Sequence, residues 1–137
     1  MSEANKTIAR RMSEEVWNQG NLDAADELGA PDIVVHGAAS GLPPGREGLK
    51  QFIGMYRAAF PDLKVTADFT IAEGDKVVQH WTSSGTHKGD LMGMPATGKK
   101  FEMTGLSISR IVDGKTVEVW NASDQLGMMQ QLGAIPS

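Results

Sequence analysis

The residues best equipped for chemistry are three histidines, His36, His80 and His87, and two polar residues, Ser107 and Asn121, set in alternating apolar runs. Imidazole is the side chain suited to proton transfer near neutrality and to zinc. None of the three has a second histidine or a carboxylate at i+3 or i+4 on a helix, and no two share a strand at i+2. A zinc site would have to be assembled from three separate elements. The plainer alternative is that each histidine is a polar wall residue or a surface group. Cysteine is absent, which removes thiolate nucleophiles, disulfides and Cys-ligated metals together.

Gly93 to Lys100 reads GMPATGKK, seven positions of a phosphate-binding G-x-x-x-x-G-K-[ST] motif. The eighth position, which must offer a hydroxyl to magnesium, is Lys100. An alternating strand follows instead of a helix, so the segment is expected to be a turn-rich loop with a basic edge.

Strand alternation says more. Val117, Val119, Asn121 and Ser123 share one face of the last run, opposite Glu118, Trp120 and Ala122. In the run before it, Met103, Gly105, Ser107 and Ser109 share a face, opposite Thr104, Leu106 and Ile108. If Ser107 and Asn121 both point to a concave side, they bring hydrogen-bonding groups into an apolar pocket. Buried polar groups are usually partnered, and the partner is either a ligand or another side chain. His80 falls with Val78 and Thr82, and alternation leaves open which face that is.

These residues need a scaffold, and 137 residues suit a single domain spanning 1–137. Ile8, Met12 and Val16 recur at i, i+4 and i+8, with Trp17 beside them, which predicts an amphipathic helix ended at Gly20. Asn21 suits the N-cap of a second helix reaching Leu28. Ile33-Val34-Val35 predicts a short strand ending at His36, and 37–45 a loop. Leu49, Phe52, Ile53, Tyr56 and Phe60 mark a third helix, stopped by Pro61. From Leu63 the period becomes two, with Val65, Ala67, Phe69 and Ile71 expected on one buried face. Gly74-Asp75 and Asp113-Gly114 are hairpin turns, and Asp124 and Gly133 bracket a closing helix. Helices first and an antiparallel meander second predict an α+β fold.

Thirteen Lys and Arg against seventeen Asp and Glu give a net charge of −4, with basic residues never running beyond pairs. Phosphate backbones need a basic face, so no nucleic-acid partner is expected. No run of ~18 apolar residues is present and the N-terminal stretch is acidic and amphipathic, so neither a membrane partner nor a leader is expected, and the location is expected to be cytoplasmic.

Several motifs occur in an order that resembles the SnoaL-like polyketide cyclase family. They are Pro44-Gly45-Arg46-Glu47-Gly48, Ala59-Phe60-Pro61-Asp62, and the loop from Gly85-Thr86-His87-Lys88-Gly89 to Met92-Gly93-Met94-Pro95-Ala96-Thr97-Gly98-Lys99. The hairpin Arg110-Ile111-Val112-Asp113-Gly114-Lys115 and the closing helix from Asp124 to Gly133 complete the set. The resemblance implies a cystatin-like cone shared with nuclear transport factor 2, helices packed on a curved antiparallel sheet around a pocket. It also implies metal- and cofactor-free aldol chemistry on polyketide esters, with an Asp of the last strand as general acid/base.

Carried over residue by residue, that Asp position falls on Asn121, and the pocket His and Gln positions of the preceding strand on Ser107 and Gly105. A carboxamide is neither acid nor base. Asp124 lies three residues on and is read as a helix cap. The expected function is to bind or transform a small hydrophobic carbonyl compound, with Asn121 at the catalytic position and His36, His80 or His87 supplying any proton transfer. The expected lining joins Met103, Tyr56, Phe60 and Trp17 to Ser107 and Asn121, with His36 at the pocket mouth. The rivals are a binding module without turnover, and an interaction protein whose pocket is filled by its own side chains. Met92, Met94, Met103, Met128 and Met129 would give an adaptable apolar lining under either rival. Trp120, Leu106 and Ile108 on the opposite sheet face predict a homodimer or homotetramer.

Overall fold

A computed structural model describes residues 2–36, 41–91 and 93–133. Met92 and residues 37–40 of the expected loop lie outside the described residues. Helix α1 spans Ser2–Arg11 and runs on as a π-helical segment, Met12–Asn18. Its apolar positions Ile8, Met12 and Val16 fall on one side of it, and Val16 is buried. Gly20 turns left-handed beyond it (φ 71°). Asn21 caps α2 (Leu22–Leu28) through its side chain, which accepts from the Ala24 N–H at 3.3 Å. The chain then enters β1 (Gly29–His36) with no intervening loop. Helix α3 covers Gly45–Ala59. Strands β2 (Lys64–Glu73), β3 (Lys76–Thr86), β4 (Lys100–Val112) and β5 (Lys115–Ser123) follow, then α4 (Gln125–Leu132).

The hairpins form as their turn residues dictate. Asp113 and Gly114 both take positive φ (51° and 77°), the type I′ pattern that suits the twist of flanking strands. Asp124 accepts from the Gly127 N–H at 2.9 Å, so it is the cap of α4. The five strands form one curved sheet in the order β1-β5-β4-β3-β2, with the helices packed on it. This is the expected α+β fold, with one correction. β1 pairs with β5 in parallel, Val34 opposite Glu118 and His36 opposite Trp120, so the sheet is mixed. A short β-branched run carries no signal of its direction. That direction is set by α2, which delivers the chain to the β5 edge.

A second correction concerns β2. Val65 faces inward opposite Ser83, but Phe69 and Ile71 face outward and stand 52% and 58% exposed. The pairing passes from Ala67 opposite Trp81 to Phe69 opposite His80, so Asp68 is an extra, bulged residue. One inserted residue exchanges the faces of everything after it. The Asp68 carboxylate lies 2.9 Å from His80 Nδ1 and accepts from Thr82 Oγ1 at 2.8 Å, which holds the bulge on the outer face.

The core lies between helices and sheet. Val16, Leu28, Ile33 and Ile53 form one cluster, and Phe60, Leu63, Leu91, Phe101 and Met128 another. Each such side chain contributes about 1.5–3 kcal/mol by leaving water. No helix among the described residues is long and apolar enough to cross a membrane.

Candidate ligand site

Strand pairing aligns three polar side chains in one row. Gln79 of β3 stands opposite Ser107 of β4, which stands opposite Asn121 of β5, all on the inner face. In the next row Trp81 stands opposite Gly105. A Cβ on Gly105 would lie 2.3 Å from Cζ2 of Trp81, so the missing side chain is what lets the indole lie flat across β4. There its Nε1 donates to Ser107 Oγ at 2.9 Å. Ser107 in turn donates to Asn121 Oδ1 at 2.7 Å.

The indole can only donate and an amide oxygen can only accept, so Ser107 takes the indole N–H on a lone pair and gives its one proton to Asn121 Oδ1. The Asn121 oxygen is thereby engaged. Its Nδ2, with no partner among the described residues, is the end offered to the cavity.

That cavity measures about 90 Å³. Trp17, Phe52, Tyr56, Trp81 and Met103 give it apolar walls, and Gln79, Ser107, Asn121 and Gln125 its polar points. A separate pocket of about 60 Å³ shares Gln79, Ser107 and Asn121 with it and lies toward Met12 and Val119. Trp17 comes from the π-helical segment, held there by Arg57, whose guanidinium donates to the Trp17 and Asn18 carbonyls at 2.7 Å each. Trp17, Phe52 and Tyr56 contact edge to face at 5.3–6.3 Å, favoured aromatic geometry.

The ionisable group on this wall is the Tyr56 phenol, which donates to Gln125 Oε1 at 3.4 Å. Burial pushes its pKa above the ordinary phenol value, so it stays protonated at neutral pH. Among the described lining residues there is neither a carboxylate nor an imidazole. Such a site can hold and polarise a carbonyl oxygen by donated hydrogen bonds.

The structure thus brings together Trp17, Tyr56, Met103, Ser107 and Asn121, and not the histidines. His36, expected at the pocket mouth, does not border the cavity but lies on the outer face. It stacks on Trp120 at 5.4 Å, with Nε2 2.7 Å from Glu118, and that contact holds the Glu118 carboxyl below its usual range. His80 is on the outer face as well, between Asp68 and the Phe69 ring, because inner and outer residues alternate and Gln79 and Trp81 face inward. His87 is fully buried at the start of the long loop. Its backbone bonds to Lys99 and Gly98, and its Nδ1 accepts from the Thr97 N–H at 3.3 Å.

Phe60 is also set apart. It is 0% exposed and stacks behind Tyr56 at 6.2 Å, so it supports the wall rather than forming it. Gly93–Lys100 runs from loop into β4 with no helix, so the phosphate-binding geometry is absent there. No cluster of three potential metal ligands occurs among the described residues. Sequence reasoning missed Gln79 and Trp81. Their shared alternation was readable, but only the register with β4 shows that their face is the inner one.

The chain matches the model of the SnoaL-like polyketide cyclase family over residues 7–132. It is 32% identical over 119 residues to nogalonic acid methyl ester cyclase of Streptomyces nogalater, which spans 85% of this chain and 89% of that protein. It is 32% identical over 129 residues to aklanonic acid methyl ester cyclase DnrD of Streptomyces peucetius, covering 92% and 88%. Among solved structures, TsrD from Streptomyces laurentii superposes with a TM-score of 0.89 at 28% identity, covering 98% of both chains. IdmH, a putative polyketide cyclase from Streptomyces antibioticus, superposes with a TM-score of 0.81 at 37% identity, covering 94% and 98%. With the fold, the pocket and these similarities in agreement, the chain belongs to the SnoaL-like polyketide cyclase family.

Proposed function

We propose that this protein binds a small hydrophobic carbonyl compound with the carbonyl oxygen on Asn121 Nδ2, and polarises it without abstracting a proton through a carboxylate. The observation that carries this reading is the chain Trp81 to Ser107 to Asn121, which turns the carboxamide nitrogen toward the cavity. Aldol cyclisation needs a base to take a proton from carbon, a contribution of typically 10²–10⁴-fold. On this reading the site stabilises an oxygen and supplies no such base. The proposal invokes no cofactor, since every contact it uses comes from the chain, and it keeps the cytoplasmic location expected from the sequence.

The test is turnover of aklanonic acid methyl ester, together with ligand binding read by quenching of Trp17 and Trp81. Wild type is expected to bind a simple aryl ketone and to show negligible cyclisation. Asn121→Ala should weaken ketone binding by about 1–3 kcal/mol, the usual cost of an unpaired polar partner. Asn121→Asp keeps the bond from Ser107 and adds a carboxylate, whose pKa the apolar walls would raise toward a useful base, so some cyclisation should appear. Robust wild-type cyclisation that survives Asn121→Ala would sink the reading.

A further inference from the structure

Gln79, like Asn121, is an inner-face carboxamide that internal hydrogen bonds leave unfinished. It is 6% exposed, its Oε1 shares the Ser13 hydroxyl proton with the Ala9 carbonyl at 3.4 Å each, and its Nε2 has no partner among the described residues. Buried amide N–H groups are nearly always satisfied, because water cannot reach them to compensate. Gln79 nevertheless lines both pockets on the inner face and also a polar groove between α1 and β2.

Its placement relative to Asn121 follows from the sheet. The two residues occupy one row on either side of Ser107, two strands apart and on the same face. Neighbouring strands are spaced about 4.8 Å, so the two backbones stand roughly 10 Å apart. That suits acceptor oxygens on opposite sides of a ring, not the two oxygens of one carboxylate. Each carboxamide keeps an unpartnered nitrogen, Asn121 because its oxygen takes the Ser107 proton and Gln79 because its bond to Ser13 uses Oε1. The main cavity, about 90 Å³, restricts the ligand to a small molecule.

We infer that Gln79 is the second anchor of the site, donating from Nε2 to a ligand oxygen remote from the carbonyl on Asn121. The site then selects compounds built on a small ring and carrying two separated acceptor oxygens. Gln79 is in this sense a specificity-determining residue, and Ser13 positions it. The inference rests on the carbonyl reading of Asn121 proposed above.

A matched pair of probes separates the two ideas. 1,4-Diacetylbenzene carries both acceptors, and 4-isopropylacetophenone has the same outline with one carbonyl oxygen replaced by a methyl group. With tryptophan quenching as the readout, wild type should bind the diketone about tenfold more tightly, the scale of one good hydrogen bond. Gln79→Met should abolish that preference, bringing the affinities for the two compounds together. Gln79→Glu, read at alkaline pH where the carboxyl is ionised, keeps the length and the acceptor for Ser13 but loses the donors, and should abolish it too. Asn121→Ala should weaken both compounds. If Asn121→Ala weakens both but wild type shows no preference, or both Gln79 variants retain it, the second anchor is overturned and the carbonyl reading stands. If Asn121→Ala changes neither, or neither compound binds wild type, the carbonyl reading fails and the inference falls with it.

Discussion

The Ser107 hydroxyl stands 2.7 Å from Asn121 Oδ1, which can only accept, so it donates its one proton there while it accepts from Trp81 Nε1. One side chain therefore decides which end of a carboxamide meets the ligand. Ser107→Ala removes that control and strands two partners at once. Unfolding in urea should show a loss of about 1–2 kcal/mol, and ketone affinity should fall several-fold as the amide becomes free to turn.

Gly105 is required by the Trp81 ring that lies over it. Gly105→Ala would place a Cβ 2.3 Å from Cζ2 of Trp81 and 2.8 Å from the Ala122 carbonyl, so the indole must leave. Overpacking of this kind costs typically about 1–3 kcal/mol. Tryptophan emission should shift with it, because Trp81 loses its bond to Ser107. Unchanged stability and emission would show that the ring is not held as described.

Acid should weaken the fold through two carboxylates. Asp62 accepts from the Thr86 N–H and hydroxyl at 2.7 Å each, and these bonds hold its pKa below the ordinary value. Glu118 is lowered by His36 first and by Arg110 after it. A depressed carboxylate contributes stability that is present above the unfolded pKa and lost as pH falls through the folded one. Thermal unfolding followed downward from about pH 5 should therefore show a falling Tm, and Asp62→Asn should flatten part of that slope. An equal slope in the variant would remove Asp62 from the account.

The outer sheet face carries Leu106 at 44% exposure and Phe69 at 52%, beside half-buried Ile108 and Trp120. Apolar patches of this kind mark interfaces, so the protein is expected to sediment as a dimer or higher species rather than at 14.7 kDa. Leu106→Glu together with Phe69→Glu should convert it to monomer while sparing ketone binding, since neither residue lines the cavity. A clean monomer for wild type at micromolar concentration would refute the expectation.

Much of the architecture was legible because it is written in local chemistry. Asn21, Asp124 and the Asp113-Gly114 turn act through their own neighbours in the chain, and each does what its residue type requires. The change of period at Leu63 located the sheet, and the motif order located the family. Alternation even grouped Asn121 with Ser123, and Ser107 with Met103 and Gly105.

Tertiary structure alone decided which face of each strand looks inward, since alternation is symmetric until strands pair. The bulge at Asp68 moved Phe69 and Ile71 outside. Pairing put His80 outside with them, while His36 followed β1 to the edge beside β5. Gln79 and Trp81 were invisible as site residues because their partners lie 26 or more positions away, Ser107 for the indole and Ser13 for the amide. Residue types and spacing determine what each segment can become. Which polar groups end up facing one another across a cavity depends on register and direction, and those are settled only when distant segments bury their apolar faces together.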